Sequence, residues 1–233
     1  MNDNVPCVIL AAGQGKRMRP LTFVIPKALV IKNFQTLISR QISFYLSHFP
    51  RGKIYITIGH RGVLLKLYMR VRWPNLHYEF INTKNMANAF FLKKFHSNCK
   101  HNFILVMTCD NPIKIDLEFL YQEAAYHKVS ILLVAILDET NSLPGDRIVS
   151  DNNGVVTELR KGLDSSLLAS GLQLINLQKC IETVSEIPNP DFQSLWSLAL
   201  GDKSVRVSSK HPQIWSAVDS PIDLFKKLHQ NDE

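Results

Sequence analysis

Long apolar runs are missing from this chain. The longest, Ile131–Leu137, is far shorter than the roughly 20 residues a membrane-crossing helix needs, so membrane insertion is excluded and that run is read as a buried strand. Cysteine is sparse: Cys7, Cys99, Cys109 and Cys180 are scattered with no C-x-x-C spacing. This speaks against a metal knuckle or a disulfide framework and fits reduced thiols in the cytoplasm. The opening Met1-Asn2-Asp3-Asn4 has no basic n-region, so no signal peptide is expected. Neither a G-x-S-x-G elbow nor an H-E-x-x-H helix occurs, which removes two common hydrolytic arrangements. There is no internal repeat and no low-complexity linker. The cations form no long run with interleaved aromatics, and nucleic acid is accordingly not the expected partner.

What is there is a chain of 233 residues, 45% hydrophobic, with formal charge +7. That size and composition support a real core, and the charge favours an anionic ligand. Cations gather at 16–27, at Arg61–Arg72 and at Lys93–Lys100. The first of these groups is the most informative. An apolar strand, Val5–Ala12, runs into Gly13-Gln14-Gly15-Lys16-Arg17-Met18-Arg19-Pro20-Leu21-Thr22, and Pro26-Lys27 follows. Glycines let a backbone approach a ligand without a Cβ in the way. Successive N–H groups in such a turn make an anion nest. Lys16, Arg17, Arg19 and Lys27 add full positive charge, as a polyphosphate requires.

Spacing narrows the choice of loop. A Walker A loop would need glycine where Leu10 stands, and a dinucleotide fingerprint would need it at Met18, so both fail. Downstream, short β-rich segments alternate with amphipathic ones. Strands are expected at Lys53–Gly59, Leu76–Asn82, Phe103–Thr108 and Val129–Leu137. Helices are expected from Leu37 to near Pro50 and at Val63–Val71, Met86–Phe95 and Leu117–His127. Such alternation predicts an α/β fold with a mainly parallel, Rossmann-like sheet flanked by helices. Then Arg147–Asp151 and Val155–Arg160 flank Asn152-Asn153-Gly154, a hairpin signal. A strand at Leu168–Ile175, helices near 177–187 and 191–200, a strand at Val205–Ser208 and a last helix from Pro221 to His229 complete the reading. Antiparallel additions of this kind suit a substrate-capping region. One domain spanning 1–233 is expected, with a nucleotide-binding part at about 1–112 and an acceptor-binding part at about 113–233.

Two aspartates stand where a ligand cleft would want them. Asp110 follows the apolar strand Phe103–Thr108, and ligands of open α/β sheets bind beyond the carboxyl ends of strands. Asp219 ends the strand-like Ile214-Trp215-Ser216-Ala217-Val218. Each has a structural alternative. Asp110-Asn111-Pro112 also makes a turn, and Ser220, Pro221 and Asp223 also make a good helix start beside Asp219. Cys109, in an apolar context, is read as core rather than nucleophile. His60 is read as a satisfied loop histidine. Tyr45, Phe49, Phe90, Phe91 and Phe95 are read as packing rather than as a base-stacking site.

The order L-A-A-G-x-G-x-R-M-x-P-L-T, then P-K, resembles the signature of the nucleotidyltransferases that make nucleotide-sugars and related activated head groups. Lys16 departs from it, standing where that family usually carries Ser or Thr. The late Trp215-Ser216-Ala217-Val218-Asp219-Ser220-Pro221-Ile222-Asp223-Leu224 is similar to a second family pattern, so the resemblance covers nearly the whole chain. It implies the nucleotide-diphospho-sugar transferase type of fold and a base-and-phosphate cradle at Leu10, Ala11, Ala12, Gly13, Gly15 and Lys16. It also implies catalytic roles for Arg17 and Lys27, and Mg2+ held by Asp110 and Asp219. The segment Thr83–Leu92 is closer to cytidylyltransferases acting on phosphocholine and similar small phospho-compounds than to the glycine-rich segment of sugar-nucleotide enzymes. Lys84 and Asn88-Ala89 depart from the pattern there. Asn85 becomes a candidate base or ribose contact, with a helix N-cap as its alternative. Lys161 resembles the lysine that meets the acceptor's phosphate, and Gly171 a substrate-facing strand glycine. The activity implied is transfer of a nucleoside monophosphate, from CTP first, to a phosphocholine-like or sugar-phosphate acceptor. UTP or another nucleotide with a sugar 1-phosphate is the near alternative, and a nucleotide-binding relative that has lost catalysis is another.

Overall fold

The computed structural model describes residues 5–95, 101–226 and 229–230. Cys99, the last part of the Lys93–Lys100 cation group and residues 1–4 lie outside that set. Four parallel strands make the centre of the molecule: β1 (Cys7–Leu10), β4 (Ile54–Ile58), β5 (Tyr78–Asn82) and β6 (Phe103–Thr108). They lie in the order β6-β1-β4-β5. Alternation decides which side chains go where, since neighbours on a strand face opposite sides. Cys7, Ile9, Leu105 and Met107 pack beneath α1 (Leu37–His48), α2 (Gly62–Arg72) and α3 (Leu117–His127). Val8, Ile104 and Val106 face the other way, onto α4 (Leu177–Glu186) and α5 (Phe192–Gly201). Both faces of the sheet are therefore apolar, which is why its strands read as nearly continuous hydrophobic runs.

Beyond β6 the sheet turns antiparallel. The long β11 (Leu167–Asn176) pairs with β6 on one side, and with β8 (Ile131–Leu137) and β9 (Arg147–Ser150) on the other. The expected hairpin is β9 with β10 (Val156–Arg160). Its turn is held by Asp151, whose Oδ1 accepts from the N–H groups of Asn153 and Val155 at 2.9 Å each. β12 (Val205–Val207) adds a parallel strand beside β8. The result is the mainly parallel α/β sheet with antiparallel additions that the alternation predicts. Among the described residues no helix is long and apolar enough to cross a membrane.

Five short strands outside this sheet matter for the site. β2 (Ile31–Lys32) and β3 (Gln35–Thr36) form a small hairpin before α1. β7 (Ile113–Lys114) pairs antiparallel with β13 (Ile214–Trp215), which pairs in turn with β14 (His229–Gln230).

Two expected helices are corrected. Met86–Phe95 is helical only as a 3₁₀ run at Phe90–Lys94. Asn85 adopts φ 63° and the Ala87 N–H donates to the Asn189 side chain at 2.8 Å, and the stretch before Phe90 runs as turns rather than helix. The last helix is a 3₁₀ turn, Pro221–Leu224, followed by strand β14 instead of further helix; residues 227–228 of that expected helix lie outside the described set. Cys7, Cys109 and Cys180 are free and buried. Tyr45, Phe49, Phe91 and Phe95 are core, as expected of the aromatic set, whereas Phe90 is only half-buried.

Candidate active site

β1 delivers the chain to the carboxyl edge of the sheet and releases it as the glycine turn. The Ala11 N–H donates to Thr57 Oγ1 at 2.9 Å, and Ala12 O accepts from the His60 N–H at 3.2 Å. The loop is thereby fixed to the end of β4. His60 Nε2 lies 3.2 Å from Thr22 O, a satisfied loop histidine. Gly15 sits at φ +59°, and a Cβ there would meet Thr22 Cγ2 at 2.9 Å and Lys27 Cβ at 3.1 Å. Only glycine combines that backbone with that closeness. Thr22 Oγ1 donates back to Gly15 O at 2.8 Å. Three 3₁₀ turns, Lys16–Met18, Leu21–Phe23 and Lys27–Leu29, then coil the basic stretch, with Met18 and Val30 packed beside Leu37 and Val218.

Two distant carboxylates meet on one ammonium. Lys27 Nζ donates to Asp110 Oδ2 at 2.6 Å and to Asp219 Oδ1 at 2.8 Å, and an Arg17 guanidinium nitrogen lies 3.1 Å from the same Asp219 oxygen. Burial works against the charge on Lys27, but Asp110 and then Asp219 outweigh it and raise its proton affinity above the ordinary lysine value. The backbone explains the meeting. β13 pairs with β7, and the ladder continues past both strands: the Ser216 N–H donates to Pro112 O, and the Val218 N–H to Asp110 O, each at 3.0 Å. Asp110 and Asp219 are set facing by that ladder. Asp223 completes the arrangement as the capping acid, accepting from the N–H groups of Asp219 at 3.1 Å and Ser220 at 2.8 Å.

A cleft of about 420 Å³ opens here. Of the residues picked from sequence, Leu10, Ala11, Ala12, Gly13, Lys27, Asn85 and Asp110 line it. Asp219 joins it through its ion pair with Lys27, and Arg17 through its ion pair with Asp219. Gly15 shapes the turn, and Lys16 is exposed beside it. Gly171, at φ +82°, backs onto the cleft wall: a Cβ would come within 2.7 Å of Thr108 Oγ1 and 3.1 Å of Asn111 Nδ2. Lys161 is elsewhere. It lines a second cavity of about 510 Å³ with Asn141, Leu143, Pro144, Gly145, Arg147, Gly162, Leu163 and Asp164.

Sequence reasoning passed over Thr57, Thr83 and Thr108, which line the cleft at the carboxyl ends of β4, β5 and β6. A threonine at or within one residue of the end of each of three successive strands was the available signal. Gln14, Met86, Ala87 and Asn88 line it too. Asn88 Oδ1 accepts from the Phe192 N–H at 2.9 Å, so this wall is tied to the start of α5. Cys109 lines the cleft by its position but is 5% exposed. Burial first, and the neighbouring Asp110 second, push its thiol well above the usual range, which removes it as a nucleophile.

Among the described residues no cluster of three or more acidic, histidine or cysteine side chains could cage a metal. The pair Asp110 and Asp219 nonetheless converges on a point already suited to a cation. Two hard oxygen donors are what an ion needs when it keeps its waters and takes the rest of its ligands from phosphate.

Residues 7–156 match the family model described as Nucleotidyl transferase. Comparison with curated proteins finds no match. The fold is similar to the inositol-1-phosphate CTP transferase of T. maritima, with TM-score 0.78, 13% identity and coverage of 95% of this chain and 92% of that one. It is similar also to a Bacillus anthracis protein designated a glucose-1-phosphate thymidylyltransferase, in complex with sucrose (TM-score 0.77, 16% identity, 94% and 92% coverage). HddC from Yersinia pseudotuberculosis complexed with GMP-PN gives TM-score 0.76 and 15% identity over 95% and 96% of the two chains. At such identities the likeness is one of fold.

Proposed function

The chain belongs to the nucleotidyl transferase family, and on that premise we propose that it moves a nucleoside monophosphate from a nucleoside triphosphate to a small phosphorylated acceptor, releasing pyrophosphate. The observation that carries this reading is the meeting of Asp110 and Asp219 at the Lys27 ammonium, in a cleft that the glycine turn also lines. An acceptor phosphate oxygen attacks the α-phosphorus. The bond from that phosphorus to the bridging oxygen breaks, and pyrophosphate leaves with the electron pair. No enzyme nucleophile is needed, in keeping with the suppressed Cys109 thiol.

In this reading the main-chain N–H groups of the turn bind phosphate oxygens. Lys16 and Arg17, both exposed, stabilise charge gathering on the β- and γ-phosphates, and Lys27 neutralises the α-phosphate or the incoming acceptor. Asp110 and Asp219 would hold Mg2+. Such an ion, when bound, spreads the charge of phosphate oxygens that would otherwise repel. The 83–88 wall takes the base, with Asn85 offering both donors and acceptors. CTP is the first donor to test, because that segment resembles those of cytidylyltransferases. A phosphocholine-like compound and a sugar phosphate are the first acceptors.

The test supplies each of the four nucleoside triphosphates with Mg2+ and a panel of phosphocholine and sugar 1-phosphates. Pyrophosphate should appear only when donor and acceptor are both present. Nucleotide binding without pyrophosphate from any pair would instead mark a non-catalytic relative. Lys161, which lines the second cavity, checks whether the acceptor extends from the cleft into that cavity. A charge-assisted hydrogen bond is worth about 1.5–3 kcal/mol, so Lys161→Ala should raise the acceptor KM about ten- to a hundredfold. The nucleotide KM should stay put, and a change confined to the nucleotide would remove Lys161 from the acceptor.

A further inference from the structure

Lys32, at the end of β2, is 1% exposed. Its Nζ donates to Ser216 Oγ at 2.9 Å and to the Asp223 carbonyl oxygen at 2.8 Å. Neither acceptor is a carboxylate oxygen. Burial, then Arg40, lowers its proton affinity, although the Asp223 charge pulls the other way. An ammonium buried on neutral acceptors is a poor source of stability, and an apolar side chain of similar length often does better. Its value has to be sought in what it holds.

What it holds is the stretch carrying Asp219. The two acceptors bracket that residue, Ser216 before it and Asp223 after it. Asp219 itself lies in no strand and no α-helix, between two-residue β13 and the 3₁₀ turn at Pro221–Leu224. Its own N–H is bound by the Asp223 carboxylate at 3.1 Å, and the Asp223 carbonyl is the group Lys32 grips. On the other side the Val218 N–H reaches Asp110 O. Besides the ion pairs of its carboxylate with Lys27 and Arg17, Asp219 is therefore held by its backbone between the Asp110 loop and one buried lysine. Lys32 lines neither cavity and is closed off from solvent, so it cannot touch substrate.

We propose that Lys32 is a positioning residue for divalent-cation binding: its ammonium clasps Ser216 and Asp223 so that Asp219 is presented to Asp110. This rests on the reading that these two aspartates hold the ion. The residue that sets the metal affinity thus belongs to the β2–β3 hairpin, outside the cleft.

The experiment titrates Mn2+ into the full chain, with a non-hydrolysable nucleoside triphosphate analogue present, and follows bound ion by its magnetic resonance signal. Outer-shell partners of metal ligands typically govern affinity by 10–100-fold. Lys32→Met should therefore weaken Mn2+ at least about tenfold, while its metal-free affinity for the analogue holds and the two acceptors it leaves unpaired lower its melting temperature by only a few degrees. Turnover of that variant should recover as metal concentration is raised, a rescue that a merely loosened fold would not give. Ser216→Ala, which removes one of the two acceptors, should shift Mn2+ affinity the same way by a smaller factor, and it serves alone if Lys32→Met fails to fold. Mn2+ bound as tightly by the variants as by the natural chain would overturn the role of Lys32 while leaving the aspartates their ion. A natural chain that binds no Mn2+ would remove the aspartate reading, and the lysine's role with it.

Discussion

Lys27→Ala and Asp110→Ala should each lower the rate of pyrophosphate release by about a hundred- to a thousandfold, the usual consequence of losing one preorganised electrostatic contact, roughly 3–4 kcal/mol. Lys27 is suited to so large an effect because its charge is held in place before substrate arrives. It is bonded at 2.6 and 2.8 Å, its side chain is only 12% exposed, and its raised proton affinity keeps it charged through the neutral range. The fold should survive both changes, since the apolar sheet beneath does not depend on this pair. Lys27→Ala leaves two like charges facing each other with Arg17 as the remaining counter-ion. The double variant should consequently fall well short of the product of the single effects, as groups acting as a unit do. Steady-state pyrophosphate release beside a melting curve measures this. Variants that keep the rate of the natural chain would refute the site assignment.

The largest expected loss of stability lies in a different ion pair. Asp138 and Arg147 are each 5% exposed by side chain and meet at 2.5 Å. Arg147 also donates to Leu143 O at 2.9 Å and Ser165 O at 3.2 Å, and Asp138 accepts from the Leu143 N–H at 3.0 Å. Asp138→Ala would strand a guanidinium in the interior, which costs about 3–5 kcal/mol. For a chain of this length that is roughly a 10 °C fall in melting temperature. Burial alone would raise the Asp138 pKa, but the Leu143 N–H and Arg147 outweigh it and hold it below the ordinary carboxylate value. A depressed acid favours the folded state above the unfolded pKa, near 4, and that contribution is lost as pH falls through the folded value. Acid should therefore destabilise the natural chain more steeply than the variant below about pH 4. Parallel pH profiles of the two melting temperatures would contradict this. Because Arg147 lines the Lys161 cavity, the variant should loosen that cavity before the cleft.

Much of this architecture could be read in the residues. Cys7–Leu10 and Phe103–Thr108 announce buried strands because both their faces are apolar, and the position of Asp110 at a strand's carboxyl end follows from the second. The glycine turn was legible because an apolar strand runs into two glycines and a cluster of cations, and Gly15 is the one a Cβ would crowd against Thr22 and Lys27. The 86–95 segment was not, because its fate depends on Asn189 and Phe192, about a hundred residues away. Periodicity cannot register a side chain that takes an N–H from so far off. The stretch after Pro221 misled for a related reason: a sound helix start was present, but pairing with β13 claimed the chain a few residues later. Lys32 gave no signal at all, since a lysine in a hairpin reads as surface until its acceptors are known. Lys161 was chosen by local pattern, and local pattern cannot say which of two cavities a side chain enters.

The ladder from β7 to β13 has a temporal side. Lys27 and Asp219 stand 192 positions apart, and among the described residues no nearer one supplies the second carboxylate of this site. During synthesis the loop and the parallel strands can consolidate while the segment that completes the reaction centre is still unmade. Catalytic competence would then wait on the Asp219 segment, a checkpoint written into the order in which these segments emerge.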